Sequence, residues 1–343
     1  MEYVAFLDRA FLNRDSGTEI VSLLHDRERA KTLKLCLMVN QSIPKTVVVV
    51  VNNQCFHNLF VVAGAMKCGT TSLYEYINEH PNCVRARQKE PHAFDWVWNQ
   101  LCTLPGNNIT EKYSKAFDME KLSLDKTMFT GEATPSYLLG GAELFKRLRA
   151  ACSTVKILVI LREPSERAWS HFRMTADTSN ATPEQLIRRG NVEGQSFSEL
   201  IEDDLATISN CKIDAEDSIC SEFEASYLSG LPTGHGSHSY VGRGLYALQI
   251  ELLLQVFPRD QVLFLKLEDV SRNVNKEMAK VFHFLRVEPV QITDPQKHNE
   301  RGQINLTKTV QDEATMSKLR SFYRPHNARL QALVPELDFH DWM

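Results

Sequence analysis

The run from Leu59 to Leu73 (LFVVAGAMKCGTTSL) constrains the fold of this chain more than any other segment. Its first five residues, Leu59–Ala63, are apolar or small, and they lead through a glycine turn directly into a helical pattern. A buried strand that enters a helix in this way leaves free backbone N–H groups at the positive end of the helix dipole. Such a helix N-terminus binds anions, so the sequence predicts a loop that holds a phosphate-like group.

The lysine of this loop is offset from the position that nucleoside-triphosphate-binding proteins use. Their pattern, G-x-x-x-x-G-K-[ST], places the lysine directly after the second glycine. Gly64 and Gly69 have that glycine spacing, but Thr70 occupies the lysine position and Lys67 precedes the second glycine by two residues. A small-molecule kinase therefore remains an alternative that the pattern disfavours.

A second apolar run, Val155–Leu161 (VKILVIL), is rich in β-branched residues and predicts another buried parallel strand. Arg162 follows this strand at once, and Pro164 is suited to the first turn of the next helix. Ser170 lies about two turns into that helix. Ligands bind at the carboxyl edge of open parallel sheets, so Arg162 is expected near the phosphate loop.

The segment Gln88–Phe94 (QKEPHAF) carries a candidate acid–base site, because it combines a carboxylate, a lysine and a histidine in a loop broken by proline. Glu90 is the candidate base, and His92 is its rival. The simpler alternative is that Lys89 and Glu90 form a solvent-exposed ion pair of little energetic value.

These segments together resemble the sulfotransferases that use 3′-phosphoadenosine 5′-phosphosulfate (PAPS). The KCGTTSL run resembles their 5′-phosphosulfate loop, LREPSERAWSHF their 3′-phosphate segment, and KEPHAF their KE-x-H-F-F loop. Further similar stretches are GEATPSY, GRGLY followed by a helix and a strand, and FYRPHNARL. The resemblance covers residues 59–343 and is closest to heparan- and chondroitin-type carbohydrate O-sulfotransferases, the group that includes N-acetylgalactosamine-4-sulfate 6-O-sulfotransferase.

The resemblance implies an α/β fold, P-loop-like, with three layers (α/β/α) around a central parallel sheet. It also implies a donor site for PAPS, with Lys67 on the phosphosulfate oxygens and Arg162 and Ser170 on the 3′-phosphate, joined by Lys297 or Arg301 from a basic loop. Glu90 would take the proton of the acceptor hydroxyl, and no metal ion is expected. The donor-binding residues of the loop itself would be Lys67, Cys68, Gly69, Thr70, Thr71 and Ser72.

The acceptor is expected to be a carbohydrate or another hydroxyl compound, with a small alcohol or phenol as the alternative. The formal net charge of −4 disfavours a nucleic-acid partner and gives no overall attraction to polyanionic glycans. Any basic surface for a glycan must therefore be local, and Arg85, Arg87 and Lys89 form one such cluster.

The resemblance implies that residues 59–343 form a sulfotransferase domain and that residues 1–58 form an N-terminal extension of unknown role. Charged residues are scattered through the extension, and its apolar run covers only residues 46–51, whereas a membrane span needs about 20 residues. We therefore expect no membrane span. The resemblance implies the Golgi lumen, and the alternatives are a cytoplasmic protein or a truncated N-terminus.

Four expectations concern local structure. Residues 72–80 should form a helix that ends before Pro81, and residues 95–124 should be mostly loop with one short helix. The stretch 229–239 (SGLPTGHGSHS) has the composition of a mobile loop. Cys211 and Cys220 either form a disulfide, as Golgi relatives often do near this point, or are free thiols.

Overall fold

The computed structural model describes residues 58–103, 109–177, 192, 194–213, 220–230, 239–295 and 307–343. Five parallel strands form one sheet in the order β2-β3-β1-β4-β5. The strands are β1 (Leu59–Gly64), β2 (Cys83–Arg85), β3 (Phe129–Glu132), β4 (Lys156–Leu161) and β5 (Val262–Lys266).

Strand β1 occupies the centre of the sheet, between β3 and β4. After β1 the chain goes to one side of the sheet for β2 and β3, and then crosses to the other side for β4 and β5. The carboxyl end of β1 is thus the point where the strand order reverses. Ligand sites of open α/β sheets lie at such points.

Both faces of the sheet are covered, since all six residues of β1 and five of the six in β4 are buried. The prediction of a central parallel sheet layered with helices is therefore confirmed. The helices are α1 (Thr70–Asn78), α2 (Trp98–Thr103), α3 (Ile109–Ser114), α4 (Met119–Leu124), α5 (Gly141–Ala151), α6 (Pro164–Ala176), α7 (Phe197–Asn210), α8 (Cys220–Glu222), α9 (Tyr246–Leu254), α10 (Leu267–Arg272), α11 (Val274–Leu285) and α12 (Val310–Leu333).

The helix that follows the phosphate loop, α1, begins at Thr70, two residues earlier than predicted, and ends at Asn78. The prediction of one short helix within residues 95–124 is wrong, because α2, α3 and α4 each contain six residues there. These helices are too short for a clear apolar period. Two other contacts hold this region: the side chain of Asp118 caps α4, and the centre of the Tyr113 ring lies 4.8 Å from that of the Phe94 ring.

Several predictions concern residues outside the described ranges. They include those for residues 1–57, for most of the 229–239 stretch (residues 231–238), and for both Lys297 and Arg301. Within the described ranges, no helix is both long and apolar enough to cross a membrane. Cys211 and Cys220 are free thiols in the structure, which is the second of the two alternatives stated for them.

Candidate active site

The phosphate loop connects β1 to α1 and is shaped by residues in the left-handed backbone region. Lys67 has a φ of 70° and Gly69 a φ of 86°. A Cβ atom on Gly69 would lie 2.7 Å from Leu267 Cδ1, so this position excludes larger residues on two grounds. The Ala65 N–H donates to the Ile160 carbonyl at 2.8 Å, which ties the loop to β4.

The first turn of α1 faces this loop without any acidic side chain. Its N–H groups lie at the positive end of the helix dipole, as a phosphate-like ligand requires. Thr70 and Cys68 are buried, whereas Thr71 is only partly buried. The structure thus places the N-terminus of α1 at the carboxyl edge of the sheet, and anion binding there stays a prediction.

The predicted base, Glu90, lies beside the phosphate loop and is joined to it through Lys89. The Lys89 ammonium donates to Thr71 Oγ1 at 2.7 Å and to Glu90 Oε1 at 2.9 Å. The Ala133 N–H, just after β3, donates to the Lys89 carbonyl at 2.8 Å and fixes the loop backbone. Lys89 and Glu90 are therefore more than an exposed ion pair, because they bridge two loops of the sheet edge.

His92, the rival base, is buried and already paired through one ring nitrogen. Its Nδ1 lies 2.9 Å from Asp95 Oδ2, and the Ser136 hydroxyl donates to the same carboxylate oxygen at 2.7 Å. Its Nε2 lies 3.8 Å from Glu90 Oε2. The ring is only 7% exposed, compared with 33% for the Glu90 side chain. This arrangement favours Glu90 as the group that reaches an acceptor and His92 as its support.

Arg162 and Ser170 lie on the other side of the phosphate loop, at the end of β4 and on α6. Pro164 occupies the first turn of α6, as predicted, and Glu163 caps it by accepting from the backbone N–H of Glu166 at 2.8 Å. Arg162 is half-buried, and Ser170 is 6% exposed.

Tyr246 links the phosphate loop to the Arg162 turn. Its hydroxyl donates to the Arg162 carbonyl at 2.9 Å and lies 3.5 Å from the Cys68 sulfur. Burial raises the pKa of the Cys68 thiol to about 11, although the contact with Tyr246 acts in the opposite direction. Cys68 is thus a neutral, space-filling group at neutral pH, and the loop carries no thiolate.

Three features of this site were not predicted from the sequence. They are the contact of Lys89 with Thr71, the pairing of Asp95 with His92, and the position of Tyr246. Asp95 lies three residues after His92, a spacing that a helical turn brings together. Tyr246 belongs to the GRGLY segment, which gave no local sign that its hydroxyl would reach a strand end so distant in sequence.

The basic cluster predicted for glycans is partly neutralised in the structure. Arg85 makes two hydrogen bonds to the Glu75 carboxylate, at 2.6 and 2.7 Å, and Arg87 lies 3.4 Å from Asp118. These contacts leave a mixed surface next to Lys89. Among the described residues, no cluster of three or more histidine, cysteine or acidic side chains could hold a metal ion.

Glu132, at the end of β3, is a fully buried carboxyl group below the Lys89 loop. Burial raises its pKa from 4.5 to about 8, the charge of Asp95 acts in the same direction, and hydrogen bonds from Thr134 and Tyr113 oppose the shift. The folded protein therefore holds Glu132 neutral at pH 7, although the same group ionises in the unfolded chain.

We expect this group to make the protein less stable at alkaline pH. Because the folded pKa lies above the unfolded one, the contribution is fully present below pH 4.5 and is lost as the pH rises through about 8. Urea unfolding should show the wild type losing up to roughly 5 kcal/mol relative to Glu132→Gln between acid and mildly alkaline pH, at about 1.4 kcal/mol for each unit of the pKa difference. Parallel stability profiles of the two proteins would contradict this expectation.

Comparison with known proteins identifies the family of this chain. A family model described as "Sulfotransferase domain" matches residues 58–324. Human carbohydrate sulfotransferase 15 is 26% identical over 82% of this chain and 54% of its own length, and human heparan sulfate glucosamine 3-O-sulfotransferase 6 is 25% identical over 80% and 71%. The crystal structure of a sulfotransferase from Alicyclobacillus acidocaldarius has a TM-score of 0.57 at 25% identity, covering 83% of this chain and 98% of the other.

The chain belongs to the sulfotransferase domain family, and the resemblance inferred from its motifs is confirmed. It spans about half the length of the carbohydrate sulfotransferase 15 that it matches.

Proposed function

We propose that this protein is a PAPS-dependent O-sulfotransferase that transfers a sulfuryl group to a carbohydrate hydroxyl. One observation carries the proposal: the anion-binding loop after β1 and the carboxylate after β2 meet at one sheet edge, where Lys89 bridges Thr71 and Glu90. Arg162 lies at the same edge after β4. A donor anion in the loop and an acceptor hydroxyl at Glu90 would thus be neighbours.

The proposed transfer is an in-line displacement at sulfur. Glu90 takes the proton of the acceptor hydroxyl, and the acceptor oxygen forms a bond to sulfur as the bond from sulfur to the bridging phosphate oxygen breaks. The electron pair of the broken bond goes to the 5′-phosphate. Lys67 and the N–H groups of Gly69, Thr70, Thr71 and Ser72 meet the negative charge that develops there. This chemistry needs no metal ion.

We assign the 3′-phosphate of the donor to Arg162 and Ser170. Both lie on the β4 side of the loop, and Tyr246 holds the Arg162 backbone against it. Lys297 and Arg301 stay predictions for the same phosphate, since they lie outside the described residues.

Two relatives support a carbohydrate acceptor. One is named as a carbohydrate sulfotransferase and the other as a sulfotransferase of heparan sulfate glucosamine. The accessible Glu90 and the buried His92 also match the glutamate base expected for glycan hydroxyls rather than the histidine base expected for small alcohols or phenols. The Golgi lumen stays a prediction for the compartment.

A sulfate-transfer screen tests the proposed function. The full chain is incubated with PAPS labelled in the sulfuryl group and with heparan, chondroitin or dermatan chains, small alcohols or phenols. We expect label on a polysaccharide without added magnesium. Transfer only to phenols would select the small-molecule alternative. Magnesium-dependent binding of ATP, with no binding of adenosine 3′,5′-bisphosphate, would instead select the kinase alternative.

The donor assignment predicts a loss of nucleotide affinity in Arg162→Ala. Removing one charge-assisted contact to the 3′-phosphate should weaken binding of adenosine 3′,5′-bisphosphate by about 1.5–3 kcal/mol in calorimetry. Arg272→Ala is the control, because Arg272 is 73% exposed and pairs only locally with Asp269. Unchanged affinity in Arg162→Ala would remove this residue from the donor site.

A further inference from the structure

Three cationic side chains from different parts of the chain converge on one carboxylate, that of Glu166. Lys308 Nζ lies 2.7 Å from Glu166 Oε1, Arg320 Nη2 lies 3.8 Å from the same oxygen, and Arg162 Nη2 lies 3.7 Å from Oε2. A second carboxylate, that of Glu313, lies 3.9 Å from Lys308 Nζ. Two carboxylates within this range face three cations, so the cluster keeps one positive charge in excess.

Capped helix ends fix the backbone at two members of this cluster, Glu166 and Lys308. Glu166 lies in the first turn of α6, which Glu163 caps. Lys308 directly precedes α12, where Thr309 and Asp312 form a reciprocal capping box, and Arg320 lies on α12 itself. Lys308 Nζ also lies 5.9 Å from the centre of the Trp169 ring, which belongs to α6. The start of α12 is thus placed beside the turn that carries Arg162.

The cluster is open to solvent, unlike a structural ion pair in a core. The side chains of Arg162, Glu166, Lys308 and Arg320 are 27%, 32%, 20% and 48% exposed. A soluble anion can therefore reach the cations. A phosphate monoester carries nearly two negative charges at pH 7 and accepts several hydrogen bonds, so in the place of the Glu166 carboxylate it would balance the three cations more fully.

We propose that Glu166 is the resident counter-ion of the 3′-phosphate site, and that Lys308 and Arg320 bind this phosphate together with Arg162. The nucleotide phosphate takes the place of the Glu166 carboxylate at these cations. The inference rests on the proposed function, because the proposed function assigns Arg162 to the 3′-phosphate. It adds two cations to that site and an acidic residue that opposes donor binding.

Two ligands that differ only in the 3′-phosphate test the inference by calorimetry on the full chain: adenosine 3′,5′-bisphosphate and adenosine 5′-monophosphate. Glu166→Gln removes a negative charge from the phosphate site, so it should bind the bisphosphate roughly three- to thirtyfold more tightly. Its affinity for the monophosphate should change less than about twofold. Lys308→Gln should weaken the bisphosphate by roughly tenfold and spare the monophosphate.

The ion pair between Lys318 and Glu202 provides matched controls. Lys318 lies on α12, and both side chains are 52% exposed and pair with each other. Lys318→Gln and Glu202→Gln should leave the affinities for both ligands unchanged. Thermal melting tests whether each variant is folded. If Glu166→Gln does not fold, Lys308→Gln still tests the inference.

The outcomes separate the inference from the proposed function. If the wild type binds both nucleotides equally, the assignment of a 3′-phosphate site fails, and the proposed function fails with it. If the wild type prefers the bisphosphate but Glu166→Gln binds it no more tightly, Glu166 is not a competing counter-ion. An unchanged bisphosphate affinity in Lys308→Gln would exclude Lys308 from the site.

Discussion

Replacing Glu90 by glutamine should lower the turnover number for sulfate transfer by on the order of 10²–10⁴, the usual contribution of a general base. Glutamine keeps the shape of the side chain and can still contact Lys89, but it cannot accept the acceptor proton. The affinity for adenosine 3′,5′-bisphosphate should remain close to that of the wild type, because Glu90 is not proposed to bind the nucleotide. Initial rates at saturating donor measure the first effect, and calorimetry measures the second.

The control for this prediction is the neighbouring histidine. His92→Ala should cost less than Glu90→Gln, since His92 is buried and its Nδ1 is paired with Asp95. Glu75→Gln should leave the turnover number nearly unchanged. This variant removes the α1 carboxylate that pairs with Arg85. An inactive His92→Ala together with a near-normal Glu90→Gln would make His92 the base and favour small alcohols or phenols as acceptors.

Replacing Lys67 by methionine should lower the turnover number by on the order of 10²–10³, since one charge donor to the leaving phosphate is lost. Methionine has a similar length, and the left-handed backbone of this position already carries a non-glycine residue. Single-turnover rates at saturating PAPS isolate the transfer step from donor binding. Lys318→Met is the control for general loss of a lysine, and a normal single-turnover rate in Lys67→Met would exclude its role at the leaving group.

The sequence predicted those parts of the fold that depend on local pattern. Strand β1 covers the first apolar run and β4 lies within the second, and all residues of the two strands except Lys156 are buried. The local sequence predicts such segments because a strand buried on both faces needs a continuous apolar run, just as a helix buried on one face needs an apolar stripe.

The parts that could not be predicted depend on residues distant in sequence. Nothing near Lys89 indicates that its ammonium reaches Thr71, since that contact exists only because β2 and β1 end at the same sheet edge. The neutral state of Glu132 follows in the same way from complete burial between Tyr113 and Thr134. The sequence therefore identified Glu90 as a candidate base but not the contacts that hold it in place.

The contact between Tyr246, Cys68 and Arg162 has a consequence for the choice of ligand. The Tyr246 ring is 1% exposed, and its hydroxyl holds the turn after β4 against the loop after β1. The separation between the two proposed anion-binding positions is therefore fixed before any ligand arrives. We therefore expect the protein to discriminate among phosphorylated adenosines by the distance between their charged groups. Isomers with the second phosphate on the 2′-oxygen would carry the same charge and still fit poorly.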